Sequence, residues 1–386
     1  MKIFYLFFAL YIFANVYVFI ELRRWIGPGI WQWPAALWFL AMIGLWTLRF
    51  GAVGTGWFTY LEDVLYVWLG FILITLMCFV VADTAAILLK IAGLFSDASF
   101  TRLLQGSRRV PLALLAGVLL SVYAVIDAQN IRVNRYTVAT DKLAPEATRQ
   151  GRLRIAVLTD IHVSNFIGPR MLAQIVKLVE GEHPDMLVVV GDLVDSDVSM
   201  DTISPEILAS VKAPLGKFAV TGNHEAYHGL DLSIQFIERA DLTLLRNQMV
   251  EAGGIMVAGI DDISVVQRYG GVYDPAPMLK EYEGDKFVLL LKHRPTGMHE
   301  AKGLFDLQLS GHTHGGQLWP GKYIVKHLHD NLPQGLSSFM GKNGKISQII
   351  ISNGTGYWGP PMRLFTPPEI IILDLVPKPA EDAQED

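Results

Sequence analysis

Five short polar groups stand out by residue type and spacing. They are Asp160-Ile161-His162, Gly191-Asp192, Gly222-Asn223-His224-Glu225, the single His293, and Gly311-His312-Thr313-His314. Carboxylate oxygen, amide oxygen and imidazole nitrogen are donors that suit Mn²⁺, Fe or Zn²⁺. Residues two apart in an extended backbone share a face, so Asp160 and His162 can send both side chains to one ion. His312 and His314 have the same spacing and can reach one centre while addressing different ions. An aspartate such as Asp192 can bridge two cations, and the neighbouring glycines let the backbone turn sharply and come close. Any one of these residues alone would more readily be structural or solvated. The ordered set is what points to a binuclear metal centre.

Something must position them, and the intervening sequence supplies it. From residue 152 onward, short Val- and Ile-rich runs alternate with helical spacing. Residues 152–159, 186–190, 217–221, 255–260, 287–291, 305–310, 348–352 and 370–375 read as strands. Residues 169–182 read as a helix, with Pro169 suited to its first turn. Each polar group directly follows an apolar run, and loops at strand ends can converge on one rim of a sheet. This predicts an α/β or α+β domain over residues 152–376, joined by a polar connector at 128–151 and followed by a loose tail at 377–386.

The first third of the chain is of another kind. The 386 residues are 51% hydrophobic and 18% charged, against about 25% charge in ordinary soluble domains. Residues 1–127 hold only 14 of the 69 charged side chains, while all ten histidines lie at or after His162. Apolar segments at about 3–20, 34–48, 64–81 and 110–126 predict a transmembrane region of about four helices. Loop cations, six on one side and five on the other, tilt the expectation toward an extracytoplasmic catalytic domain in a multi-pass cell-membrane protein. The net charge of −5 argues against a nucleic-acid partner. One cysteine, Cys78, excludes an internal disulfide framework and a cysteine-based zinc site.

The five groups in this order resemble the signature of the calcineurin-like metallophosphoesterases, over about residues 152–376. The stretch from Asn353 to Arg363, with Pro367, Pro368 and Glu369 after it, is similar to their membrane-associated bacterial branch. The resemblance implies a two-sheet β-sandwich flanked by helices and two divalent ions, with Mn²⁺ preferred and Fe or Zn²⁺ as alternatives. It implies that Asp160, His162 and His314 hold one ion, that Asn223, His293 and His312 hold the other, and that Asp192 bridges them. His224 would stand outside the metals near the scissile phosphate. The expected activity is hydrolysis of a phosphoester or pyrophosphate bond by a metal-bridging hydroxide, with His224 protonating the leaving oxygen or stabilising the transition state.

Four spans, where one would anchor, point to an amphiphilic, lipid-linked substrate with membrane lipids as partners. A simple tether is the bland reading of the same spans. A non-catalytic membrane sensor or scaffold on a phosphoesterase fold is the alternative from another class. Arg363 could meet a substrate phosphate or form a structural ion pair. Asp195 reads as part of a solvated loop, Asp261-Asp262 as a turn, and Glu225 either orients His224 or caps the following helix.

Overall fold

The computed structural model describes residues 2–49, 58–91, 108–143, 148, 150–164, 166–195, 204–297 and 300–378. Two compact units divide the chain. One comprises Met1–Asp127 with Gly359–Leu364, the other Ala128–Trp358 with Phe365–Asp386.

The second unit is built on two six-stranded mixed sheets. The first runs β1 (Arg132–Thr140), β12 (Glu369–Pro377), β2 (Leu153–Leu158), β3 (Met186–Val190), β4 (Lys217–Val220), β5 (Thr243–Leu244). The second runs β10 (Gly335–Met340), β11 (Ile346–Ile351), β9 (Leu307–Ser310), β8 (Val288–Leu291), β7 (Ile255–Gly259), β6 (Gln248–Ala252). Strands β2 to β5 are parallel, as are β7, β8, β9 and β11.

Alternation along each strand divides the core. Ile155, Val157, Val188 and Val190 face Val257, Leu289, Leu291 and Leu309 between the sheets. Ala156, Leu158, Leu187 and Val189 point the other way, onto Leu172, Ile175 and Val179 of helix α5 (Pro169–Gly181) and Phe236 of a further helix, Leu230–Arg239. The second sheet packs its outer face on Ala276 and Leu279. Central strands buried on both faces must be apolar at every position, which is why they read as unbroken runs. Each fully buried Leu, Ile or Val contributes about 1.5–3 kcal/mol. Five parallel strands, β2, β3, β4, β8 and β9, each run directly into one of the five polar groups.

The stretch expected as a connector contains β1, which pairs in parallel with β12. It is an edge strand, mostly exposed or half-buried, so its alternating polar sequence does not stand apart from a linker. Residues 379–386 of the expected tail lie outside the described residues.

The helical unit holds four long helices: α1 (Lys2–Ile26), α2 (Gln32–Arg49), α3 (Phe58–Ile91) and α4 (Arg109–Ala128). The four expected spans all fall on these helices. Among the described residues, however, only two stretches, Leu61–Ile91 and Arg109–Ala128, are long and apolar enough to cross a membrane. α2 has 18 residues, below the roughly 20 that a crossing needs, whereas α1 has 25, with Glu21, Arg23 and Arg24 following its apolar stretch at 3–20. Asp83 is paired rather than free: Arg109 bridges it to the buried Glu21. Arg363 is fully buried in this unit, and its backbone N–H donates to the Ala124 carbonyl.

Candidate metal centre

Ligand-type side chains from all five strand ends meet in one place. Three groups each have their donor atoms within 4.8 Å of one another: Asp160, His162 and His314; His162, Asp192 and His224; and Asp192, His293 and His312. His162 belongs to the first and second, and Asp192 to the second and third. Asp192 Oδ2 lies 3.1 Å from His293 Nε2 and 3.7 Å from His162 Nε2. Asn223 opens helix α7 (Asn223–His228) directly before His224, so all eight residues singled out from the sequence belong to this rim.

The backbone is bent to bring them there. Asp160, His162, Asp192, His312 and His314 all have φ between +49° and +69°. Non-glycine residues seldom adopt this left-handed region, and clusters of such strain mark functional sites. Two glycines clear the space. A Cβ on Gly222 would sit 2.2 Å from Asp192 Oδ1, and one on Gly311 would sit 2.1 Å from Asp160 Oδ2.

The donors have the form a cation needs. His162 Nε2 and His314 Nε2 face each other at 3.1 Å. Burial pushes His162 down to about 4, so its ring is neutral and offers a lone pair at neutral pH. Burial also drives His312 well below the ordinary histidine range. His293 Nδ1 lies 2.9 Å from the Val190 carbonyl, a contact that assigns its proton to Nδ1 and leaves Nε2 turned to Asp192. Burial would raise Asp192, but the His293 and His224 rings outweigh it and hold the carboxyl well below its usual range. Asn223 Oδ1 is buried without a hydrogen-bond partner, and His293 Nε2 has only the Asp192 carboxylate. Buried polar atoms left unpaired are costly, and a cation among them removes that cost. The residues present therefore fit a pair of divalent ions.

Several further residues serve the site. Asp195, read as solvated, accepts from His224 Nδ1 at 2.8 Å. Burial alone would lower His224, but Asp192 and the bond to Asp195 hold it up to about 9. Glu225 is fully buried and caps backbone: its carboxylate accepts from the N–H groups of Gly222, Asp192, Leu193 and Val194. It thereby ties the Asp192 loop to the start of α7. Asp262, expected in a turn, does cap helix α9 (Ile263–Tyr269) through Ser264 N. It also pairs with Arg294 Nε at 2.7 Å, and Arg294 Nη1 lies 3.1 Å from His312 Nε2. Tyr227 and Trp358, each about half exposed, set their rings edge-on against His224. The His329 ring lies against His312. Asp195 is three positions after Asp192 and Arg294 is next to His293, a proximity that could have flagged both.

The family profile described as calcineurin-like phosphoesterase matches residues 153–316. An uncharacterized metallophosphoesterase of Aquifex aeolicus is 37% identical over 67% of this chain and 97% of its own length. The chain belongs to the calcineurin-like metallophosphoesterases. A Helicobacter pylori relative named as a metallophosphoesterase is 35% identical, over 64% of each chain. A zebrafish (Danio rerio) protein named as a transmembrane protein with a metallophosphoesterase domain is 32% identical, over 69% of this chain and 63% of its own. Against these two relatives the chain thus spans a little under two thirds of their length. The family is one of dimetal-dependent phosphoesterases, and the clustered donors lie inside or directly beside the matched stretch.

Proposed function

We propose that this protein is a membrane-anchored, binuclear metal-dependent phosphoesterase that cleaves a phosphoester or pyrophosphate bond. The observation that carries the reading is the chain of three donor groups linked through His162 and Asp192, with His224 held on Asp195. Asp160, His162 and His314 would hold one ion, Asn223, His293 and His312 the other, and Asp192 both. Two bound divalent ions would neutralise phosphate oxygens and lower the pKa of water between them toward 7, supplying a nucleophile at neutral pH. With no sulfur among the donors, Mn²⁺ is the first choice, with Fe or Zn²⁺ as alternatives.

The chain's own groups do the rest. His224, its proton favoured by the Asp195 carboxylate on Nδ1, donates a proton to the departing oxygen. Asp195 fixes the ring so that Nδ1 points inward and Nε2 is left for the substrate. Glu225 holds the two loops in register. Multi-pass anchoring and an extracytoplasmic catalytic domain extend the two apolar helices and the cation balance of the loops. A lipid-linked phosphoester is the substrate class that such anchoring favours.

The test is turnover of an aryl phosphodiester by the purified chain with Mn²⁺, repeated after chelation and in Asp192→Ala. The proposal expects activity that is lost on chelation and restored by Mn²⁺, and an Asp192→Ala protein that lacks both metal and activity. Metal-loaded protein without turnover on any phosphoester would overturn it. A screen pairing lipid-linked with water-soluble phosphoesters tests the substrate class, and cleavage of only the soluble ones would refute the lipid-linked part.

A further inference from the structure

The chain between the His314 turn and β10 forms helix α11 (Gly321–Leu328), which buries none of its residues. Tyr323, Ile324 and Leu328 are 60%, 61% and 54% exposed. Scattered exposed apolar residues are ordinary, but these three share one face, since positions four apart stack along a helix and neighbours lie 100° apart. Lys326 and Lys322, both exposed, follow Tyr323 round one side of that face, with the Lys322 ammonium over the Tyr323 ring, and the helix contains no carboxylate. Half-buried Val325 lies on the opposite side.

Both ends of α11 are tied to the metal-binding loop. Gly321 N–H donates to Leu318, and the Gly316 and Gly321 backbones touch so closely that neither position has room for a Cβ. Just past the other end, the His329 ring packs on His312.

We propose that the exposed face of α11 lies on the surface of an anionic lipid bilayer. The apolar side chains would enter the boundary between headgroups and acyl chains, and the two lysines would reach up to lipid phosphates, as in interfacial amphipathic helices. Charge selects this occupant: the face holds His327 between Tyr323 and Ile324, has Lys326 and then Lys322 beyond Tyr323 on one side and no carboxylate, and so complements anionic headgroups. The loop bearing His312 and His314 is then held at headgroup depth, where a lipid's phosphoester already sits. This rests on the membrane-anchored reading of the chain but not on catalysis.

The experiment uses full-length protein in lipid nanodiscs. Cys78, the single native cysteine, is replaced by serine so that Ile324→Cys can carry one environment-sensitive fluorophore. In discs containing phosphatidylglycerol, the label's emission should shift to the blue and be quenched by lipids bearing a shallow spin label. A label at exposed Glu283 (Glu283→Cys) should report water. Lys322→Glu with Lys326→Glu should lower the docked fraction, by roughly fivefold per lysine.

A label that reports water at position 324 overturns the proposal. So does a label that is shielded yet untouched by the lipid quencher, which would assign the face to protein, including a second copy. Failure of the chain to enter discs would sink the anchoring reading instead. The label's response to added anionic vesicles would then still decide whether the α11 face docks.

Discussion

Replacing Asp195 by asparagine removes one charge and keeps the shape. The Asp195 carboxylate lies 2.8 Å from His224 Nδ1 and is largely buried. Hydrogen bonds to charged groups are worth about 1.5–3 kcal/mol. At 1.36 kcal/mol per unit, Asp195→Asn should lower the His224 pKa by about 1–2 units. From about 9 in the metal-free site, it would fall to roughly 7–8; bound cations lower both values and leave the difference between native and variant. A general acid works below its pKa, so the variant should lose rate from the alkaline side. On the alkaline side of the native limb, a pKa lower by about 1–2 costs about 10- to 100-fold in protonated acid and in rate, with little change on the acid plateau. The assay is kcat against pH for metal-loaded native and variant protein, with metal content measured in each sample. An aryl leaving group that departs without protonation serves as control and should show almost no loss. His224→Ala sets the ceiling, about 10²–10⁴ in rate with metal retained. An alkaline limb that stays in place, or an equal loss at every pH and for both leaving groups, would refute the acid role of His224 and the positioning role of Asp195.

Glu225→Ala takes the shared acceptor from four buried N–H groups. It should cost about 3 kcal/mol or more and lower the melting temperature by about 6–12 °C, read by calorimetry. Arg294→Met strands the buried Asp262 carboxylate and frees His312. Loss of an outer partner of this kind should weaken metal binding by about 10–100-fold, seen by titration with Mn²⁺. Arg154 forms a two-point bridge to Asp374, and that bond holds the carboxyl below its ordinary value. A depressed carboxyl stabilises the fold above its unfolded pKa of about 4 and loses that contribution as pH falls through the folded value. Arg154→Met should therefore cost about 1 kcal/mol at pH 7, discounted for partial exposure. The gap from native protein should close on acidification below pH 4, checked by denaturant unfolding across pH.

What could be read from the sequence shares one property: the signal is local. Parallel strands such as β3 and β8 are covered on both faces, so they appear as unbroken apolar runs, and the residue after each run must leave the sheet. That alone locates Asp160, Asp192, Asn223, His293 and His312 at strand ends, and their donor chemistry needs no coordinates. The edge strand β1 has one exposed side and no such run, so its pairing with β12, more than 200 residues away, became visible only in the folded sheet. The apolar composition of the first third was equally plain, but that α2 is only 18 residues long depended on where that helix begins and ends. Asp195 was misread, and the Arg294 partner of the Asp262 turn was missed, for a different reason. A carboxylate on a loop looks solvated until folding sets His224 or Arg294 against it, across 29 and 32 residues of chain. Tertiary structure also decided the role of Glu225, whose partners belong to two loops. Donor identity is written in the chain, whereas the company a charged side chain keeps, and with it the proton it holds, is set by segments that meet only when the sheets assemble.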